Sequence, residues 1–287
     1  MISMKPYDLK DSFEVYKEAV ERKDEGPVKT ELKGIEQQMD DCYKNYHRHF
    51  GLNEIEFIPQ SKVGVDHRNA LLSLYGSQTK LIKNFRKRFF EINPQTYNDL
   101  CPYCVISESN TTEHILPKEK YPEYAVDVLN LIPGCSKCNS LKGENVLNEN
   151  GARFIINFYT DRLPNVQFLF VDIFVNGEDL GFEYRLENVN NEIDAGLFSL
   201  IERHYTKLHL LKRYKEKAIQ TIAEIKNDYL GEGIEDEQDY DLFAAKRRNK
   251  CELDVPFYGI NHWKIVLVKA ASESHVFKEY VLQKLGI

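Results

Sequence analysis

Two C-x2-C pairs, CPYC at residues 101–104 and CSKC at 135–138, stand 30 residues apart in a chain of 287. Each pair turns two sulfurs toward one point, so closing both pairs on one ion forces the segment between them into a compact module. Four thiolates complete a tetrahedral Zn²⁺ shell and leave no open position. The spacing therefore predicts a structural, non-catalytic zinc site made by Cys101, Cys104, Cys135 and Cys138. Cys42 and Cys251 have no partner by spacing and read as free thiols. Six cysteines are too few for a disulfide scaffold of this size, which points to a reducing compartment.

Between the pairs lies TTEHILPKEKYP, in which His114 follows Glu113. Asn130-Leu131 precedes the second pair, and Asn139 and Lys142-Gly143 follow it. In order and spacing, CPYC (101–104), EHILP (113–117), NL (130–131) and CSKCNSLKG (135–143) resemble the zinc-bound branch of the HNH endonucleases, over roughly 45 of the 287 residues. The resemblance implies two short strands and a helix around one catalytic divalent cation. Strand one would carry Glu113 and His114, strand two Asn130 and Leu131, and a helix starting near Cys135 would carry Asn139.

The same resemblance assigns roles. His114 is the expected general base, since imidazole titrates near neutral pH. Asn130 is expected to orient it, its side-chain carbonyl accepting from one ring nitrogen. Glu113 and Asn139 would hold the catalytic metal, and oxygen ligands of this kind suit Mg²⁺ or Mn²⁺. Two positions depart from the common family pattern. Glu113 stands where Asp is usual, one methylene longer, and Asn139 stands where a second His is usual, a neutral and weaker ligand. The alternative function is a catalytically silent zinc module that binds nucleic acid or protein, for which His114 would be incidental.

The formal charge of −7 is unusual for a protein that approaches phosphates. Residues 228–241 hold seven acids and no Lys or Arg, however, so the remainder is formally neutral. KLIKNFRKR (80–88) carries five bases and no acid, and RHYTKLHLLKRYKEK (203–217) carries six bases against Glu216. Each is either a solvated helix face or a phosphate track. The residues expected to meet nucleic acid are Lys142, Lys118, Lys83, Arg86, Lys87 and Arg88, with DNA as substrate in preference to RNA. No run approaches the ~18 apolar residues of a membrane span, and the first residues contain no uninterrupted apolar segment, so a cytoplasmic protein without membrane contact is expected.

Along the chain, helices are expected over about 9–23 and 28–48, separated by Gly26-Pro27. A further helix is expected from an N-cap at Asp66 to a stop at Asn93-Pro94. Asp66-His67 is thus read as a helix start rather than a second acid-His site, and His47 and His49 as packed or solvated. VQFLFVDIFV (166–175) and LGFEYRLE (180–187) flank Asn176-Gly177 and read as a hairpin. Apolar positions from Leu197 to Tyr229 trace one long helix, the acidic stretch after it reads as a mobile loop, and a last helix is expected over about 272–285. The region around Trp263 reads as core or as a docking surface.

The expected fold class is α+β: mainly helical, with a central ββα-metal (HNH) module stapled by the four-cysteine zinc site and a small β-hairpin in the C-terminal part. The expected domains are an N-terminal helical region (1–95), the HNH nuclease module (96–148) and a C-terminal α+β extension (149–287). The layout resembles the HNH nuclease subunit of Septu-type and retron-associated antiphage defence systems, which implies an ABC-like ATPase partner. No Walker A sequence occurs in this chain, so ATP hydrolysis would belong to that partner.

Overall fold

The computed structural model describes residues 3–8, 11–76, 79–93 and 100–287. They divide into two compact units, Ser3–Arg162 and Leu163–Ile287. The architecture is α+β and mainly helical, with two separate two-stranded antiparallel sheets. Among the described residues no helix is long and apolar enough to cross a membrane.

The first unit begins with α1 (Asp11–Glu21), α2 (Pro27–Gly34) and α3 (Glu36–Leu52), which pack on one another. Pro27 opens α2, where its missing N–H costs nothing. The expected second helix is thus two helices, parted at Ile35, whose ψ of 8° leaves helical geometry. Tyr16, Tyr43 and Tyr46 from these helices are fully buried together with Tyr124. Residues 9–10, where the first helix was expected to start, lie outside the described residues.

The single helix expected from Asp66 is three: α4 (Lys62–Asp66), α5 (Arg68–Leu72) and α6 (Lys80–Ile92). Asp66 ends α4 rather than capping a helix, and Ser61 is the cap, its hydroxyl accepting from the Gly64 N–H at 2.9 Å. His67 pairs with Glu31 at 2.7 Å. The chain restarts at Thr79, which caps α6 through the Ile82 N–H. In between, Tyr75 lies outside helix and its hydroxyl reaches the Thr112 carbonyl, 2.9 Å away. Periodicity runs through this break because Leu71, Leu74, Leu81, Ile82, Phe85 and Phe89 are all buried without sharing one helix. Pro94 and the 95/96 boundary lie outside the described residues.

The expected ββα element follows, except that Asn130 lies just before the second strand rather than on it. β1 (Thr111–His114) pairs antiparallel with β2 (Leu131–Gly134), Glu113 opposite Ile132 and His114 opposite Leu131. α7 (Ser136–Lys142) is capped by Cys135, whose Sγ accepts from the Cys138 N–H at 3.4 Å.

The second unit opens with β3 (Leu169–Asn176) and β4 (Asp179–Leu186), the expected hairpin, closed by a two-residue turn with Gly177 at φ 65°. Asn261 pins its start, accepting from the Phe168 and Leu169 N–H groups and donating to the Val166 carbonyl. The long helix expected over Leu197–Tyr229 is two, α8 (Ala195–Lys207) and α9 (Leu210–Gly231), broken by a left-handed His209 at φ 52°. That one residue re-phases the stripe so that Leu208 and Leu210 are both fully buried, while Ile219 is 62% exposed.

The acidic stretch is mostly helical rather than a mobile loop. It ends α9 and begins α10 (Glu237–Tyr258), where Asp236 caps the Asp239 N–H at 2.9 Å and Glu237 and Asp239 occupy the favourable first turn. Lys278 pairs with Glu237 and Asp241, and Arg247 with Asp228. α11 (Trp263–Glu273) and α12 (His275–Leu285) complete the unit, α11 packing on β3, α9 and α10. The Trp263 region is core: Trp263, Ile265, Val266 and Leu267 are buried, and the Trp263 carbonyl accepts from Tyr184.

Candidate active site

The four cysteines converge. Their sulfurs lie within 4.8 Å of one another, all buried, with Cys104 and Cys135 3.9 Å apart. Sulfurs bound ~2.3 Å from one tetrahedral centre sit about 3.8 Å apart, so the cluster fits Zn²⁺. The first knuckle turns sharply: Val105 donates to the Cys101 carbonyl at 2.8 Å with φ at 47°, a left-handed position that a β-branched residue rarely takes. The buried Val105 side chain and the sulfur cluster hold it there.

In front of the cluster, β1 and α7 frame a cleft of about 470 Å³ lined by Glu113, His114 and Asn139 together with Tyr75, Lys118 and Lys142. The His114 ring donates from Nε2 to the Ala125 carbonyl at 2.9 Å, because a carbonyl can only accept. Nδ1 is left as the acceptor nitrogen. Burial pushes the ring's pKa down to about 3, with Lys118 and Lys142 adding to the effect, so the imidazole is neutral at physiological pH.

The expected bond from His114 to Asn130 is therefore absent, and a backbone carbonyl takes its place. The Asn130 amide is fully engaged elsewhere. Its oxygen accepts from the Leu116 N–H at 2.7 Å and the Tyr46 hydroxyl at 3.2 Å, and its nitrogen donates to the Leu116 and Tyr124 carbonyls. Asn130 closes the loop between the strands and so fixes the segment that carries Ala125.

Glu113 is buried, which pushes its carboxyl pKa up, offset by the Thr111 hydroxyl and by the charge of Lys142. A bound cation would favour the charged form of such a buried carboxylate. Gly134 makes room for it: a Cβ there would stand 2.8 Å from the Glu113 Cγ. Asn139 is exposed at the cleft wall and its amide makes no hydrogen bond among the described residues. A carboxylate oxygen and an amide oxygen on one cleft form a hard donor pair of the kind that Mg²⁺ or Mn²⁺ takes.

The expected nucleic-acid contacts divide. Lys142 is buried and donates to the His114 carbonyl at 2.7 Å, locking α7 onto β1. Arg86 donates to the Ser109 and Thr111 carbonyls and so is held within the fold rather than offered to a ligand. Lys118 lines the cleft and pairs with Glu119. Lys83, Lys87 and Arg88 are exposed on α6, the last two near Glu91. His47 and His49 lie on α3 and do not line this cleft. Tyr75, Ala125, Tyr46 and Gly134 were not foreseen: a backbone acceptor, a ring between helices and a side-chain clearance leave no motif in a sequence.

Comparison with known proteins agrees with this geometry. The HNH endonuclease family model matches residues 101–145. The chain is 26% identical over 128 residues to protein ea31 of Escherichia phage lambda, covering 44% of this chain and 43% of that protein. It is 41% identical over 51 residues to Septu protein PtuB of Bacillus thuringiensis, covering 16% of this chain and 20% of PtuB. The matches thus span less than half the length of either relative. No solved structure matches the chain. Residues 101–145 thus match the HNH endonuclease family and carry the four-cysteine cluster, in a chain that resembles Septu protein PtuB over 51 residues.

Proposed function

We propose that this protein is a metal-dependent endonuclease that hydrolyses phosphodiester bonds of DNA, and that it serves as an effector in antiphage defence beside an ATPase partner. The observation that carries the reading is the His114 ring, neutral and tied through Nε2–H to Ala125, in one cleft with Glu113 and Asn139. Nδ1 takes the proton of the attacking water, a step that contributes ~10²–10⁴-fold. Glu113 and Asn139 would hold Mg²⁺ or Mn²⁺, which when bound neutralises charge on the phosphoryl oxygens. Cys101, Cys104, Cys135 and Cys138 would hold zinc, which joins the first knuckle to α7 and has no open position for water. Lys118 in the cleft and Lys83, Lys87 and Arg88 on α6 supply positive charge for the DNA backbone.

The defence role and the ATPase partner rest on the partial similarity to Septu protein PtuB. The test uses the purified full chain with zinc intact, plasmid DNA and added Mg²⁺ or Mn²⁺, with and without the product of the adjacent gene. Metal-dependent cleavage in either arm supports the reading. No cleavage in both arms overturns it in favour of a zinc module that only binds.

A further inference from the structure

Tyr75 lies outside residues 101–145, in the break between α5 and α6, yet it packs on the candidate base. Its ring meets the His114 imidazole edge-on, with centroids 4.6 Å apart and planes at 64°. Its hydroxyl donates to the Thr112 carbonyl at 2.9 Å, two residues before His114 on β1. The Lys118 ammonium lies over the same ring, 5.8 Å from its centroid. Tyr75, Thr112, His114 and Lys118 all line the one cleft.

An imidazole held at a single nitrogen can still swing about that hydrogen bond. A second contact on the ring removes the swing, and a packed aromatic ring is a stiff wall with few rotamers. The same ring gives the Lys118 cation an electron-rich face to sit on, while Glu119 pairs with it. One side chain therefore lies against both the candidate base and a cation of the cleft. The end of helix at Leu72 and its restart at Thr79–Lys80 leave Tyr75 free to make these contacts.

We propose that Tyr75 is a positioning residue of the nuclease cleft: it fixes the plane of the His114 imidazole and seats Lys118 for the scissile phosphate. This rests on the nuclease reading above and extends the site beyond the HNH segment.

The test compares Tyr75→Leu with Tyr75→Phe in the full chain. Tyr75→Leu is expected to lower kcat about 10- to 100-fold, the effect of a small misplacement of a reacting group, with KM within about threefold. Tyr75→Phe keeps the ring and is expected to hold kcat within about threefold of the wild type. In histidine-labelled protein the His114 ring resonances, assigned with His114→Gln, move in the Leu variant and stay in the Phe variant, with zinc content unchanged in both. An unchanged kcat in Tyr75→Leu, a loss explained wholly by KM, or equal losses in both variants would each overturn the proposal. Unmoved His114 resonances overturn it whatever the activity. If the resonances move while wild-type protein cuts nothing, the packing assignment stands and the nuclease reading falls.

Discussion

The two hairpins of this protein reach order by opposite means. β1 and β2 have four residues each, and all but Thr111 are buried. β3 and β4 have eight each, with a tip exposed from Phe174 and Val175 onward. A two-stranded ribbon is marginal in water by itself. The long hairpin is covered by helices, α11 on β3 and α9 on β4. The short one has too few residues for that remedy and leans on point attachments: the sulfur cluster, Lys142 on the His114 carbonyl, and Tyr159 on the Leu131 carbonyl at 2.6 Å. Regular apolar burial gives a stable ribbon, whereas point attachments free the strand faces to carry Glu113 and His114.

If that contrast is right, each hairpin should fail to a different insult. The largest effect is expected from Cys135→Ser or from stripping zinc with a chelator, since structural zinc contributes an apparent ~10–16 kcal/mol in small modules. Hydrogen exchange should show protection lost across β1, β2 and α7 but kept in β3 and β4. Equal loss in both would break the comparison. The reverse experiment is Tyr184→Ala, which removes a buried ring from β4 and is expected to cost about 3–5 kcal/mol with zinc content unchanged. Denaturant melts together with metal analysis check it.

Gly134→Ala sharpens the claim that the short hairpin is shaped for its carboxylate. The added Cβ collides with the Glu113 Cγ, and Mn²⁺ affinity by calorimetry is expected to weaken about tenfold. A pH-linked effect comes from Asp127 in the loop between β1 and β2. It is fully buried, accepts from Ser12 and the Leu129 N–H, and its carboxyl is raised by burial from 3.8 to about 7. A folded-state pKa above the unfolded one means that the native state binds the extra proton. This stabilisation is full below about pH 4 and is lost as pH rises through about 7. Thermal melts of Asp127→Asn should lack that decline between pH 4 and 7. Smallest of all, Lys83→Ala and Lys87→Ala should each lower the salt slope of DNA binding by about 1, leaving stability untouched.

The cysteine spacing made the module legible because four ligands to one ion constrain distance as tightly as any contact. The β3–β4 hairpin was legible because Asn176-Gly177 marks the turn between two β-branched runs. What stayed hidden were interruptions. Periodicity does not register a left-handed His209, and it runs on through Tyr75 because the residues on both sides are buried. α10 escaped because its apolar side chains form no single stripe: Leu242, Leu253 and Phe257 are exposed while Tyr240, Ala244 and Cys251 are buried. At the site, Glu113, His114 and Asn139 line one cleft, whereas Asn130 does not line it. The expected Asn130 contact is replaced by the Ala125 carbonyl, and no side-chain motif encodes a backbone acceptor.

The most direct test of the central claim is cleavage by His114→Ala in the presence of Mg²⁺ or Mn²⁺, measured beside its zinc content under conditions where the wild type cuts. A cysteine-stapled scaffold presenting one neutral imidazole predicts full zinc and cleavage reduced by at least about 10²-fold. Wild-type cleavage by the variant would contradict it.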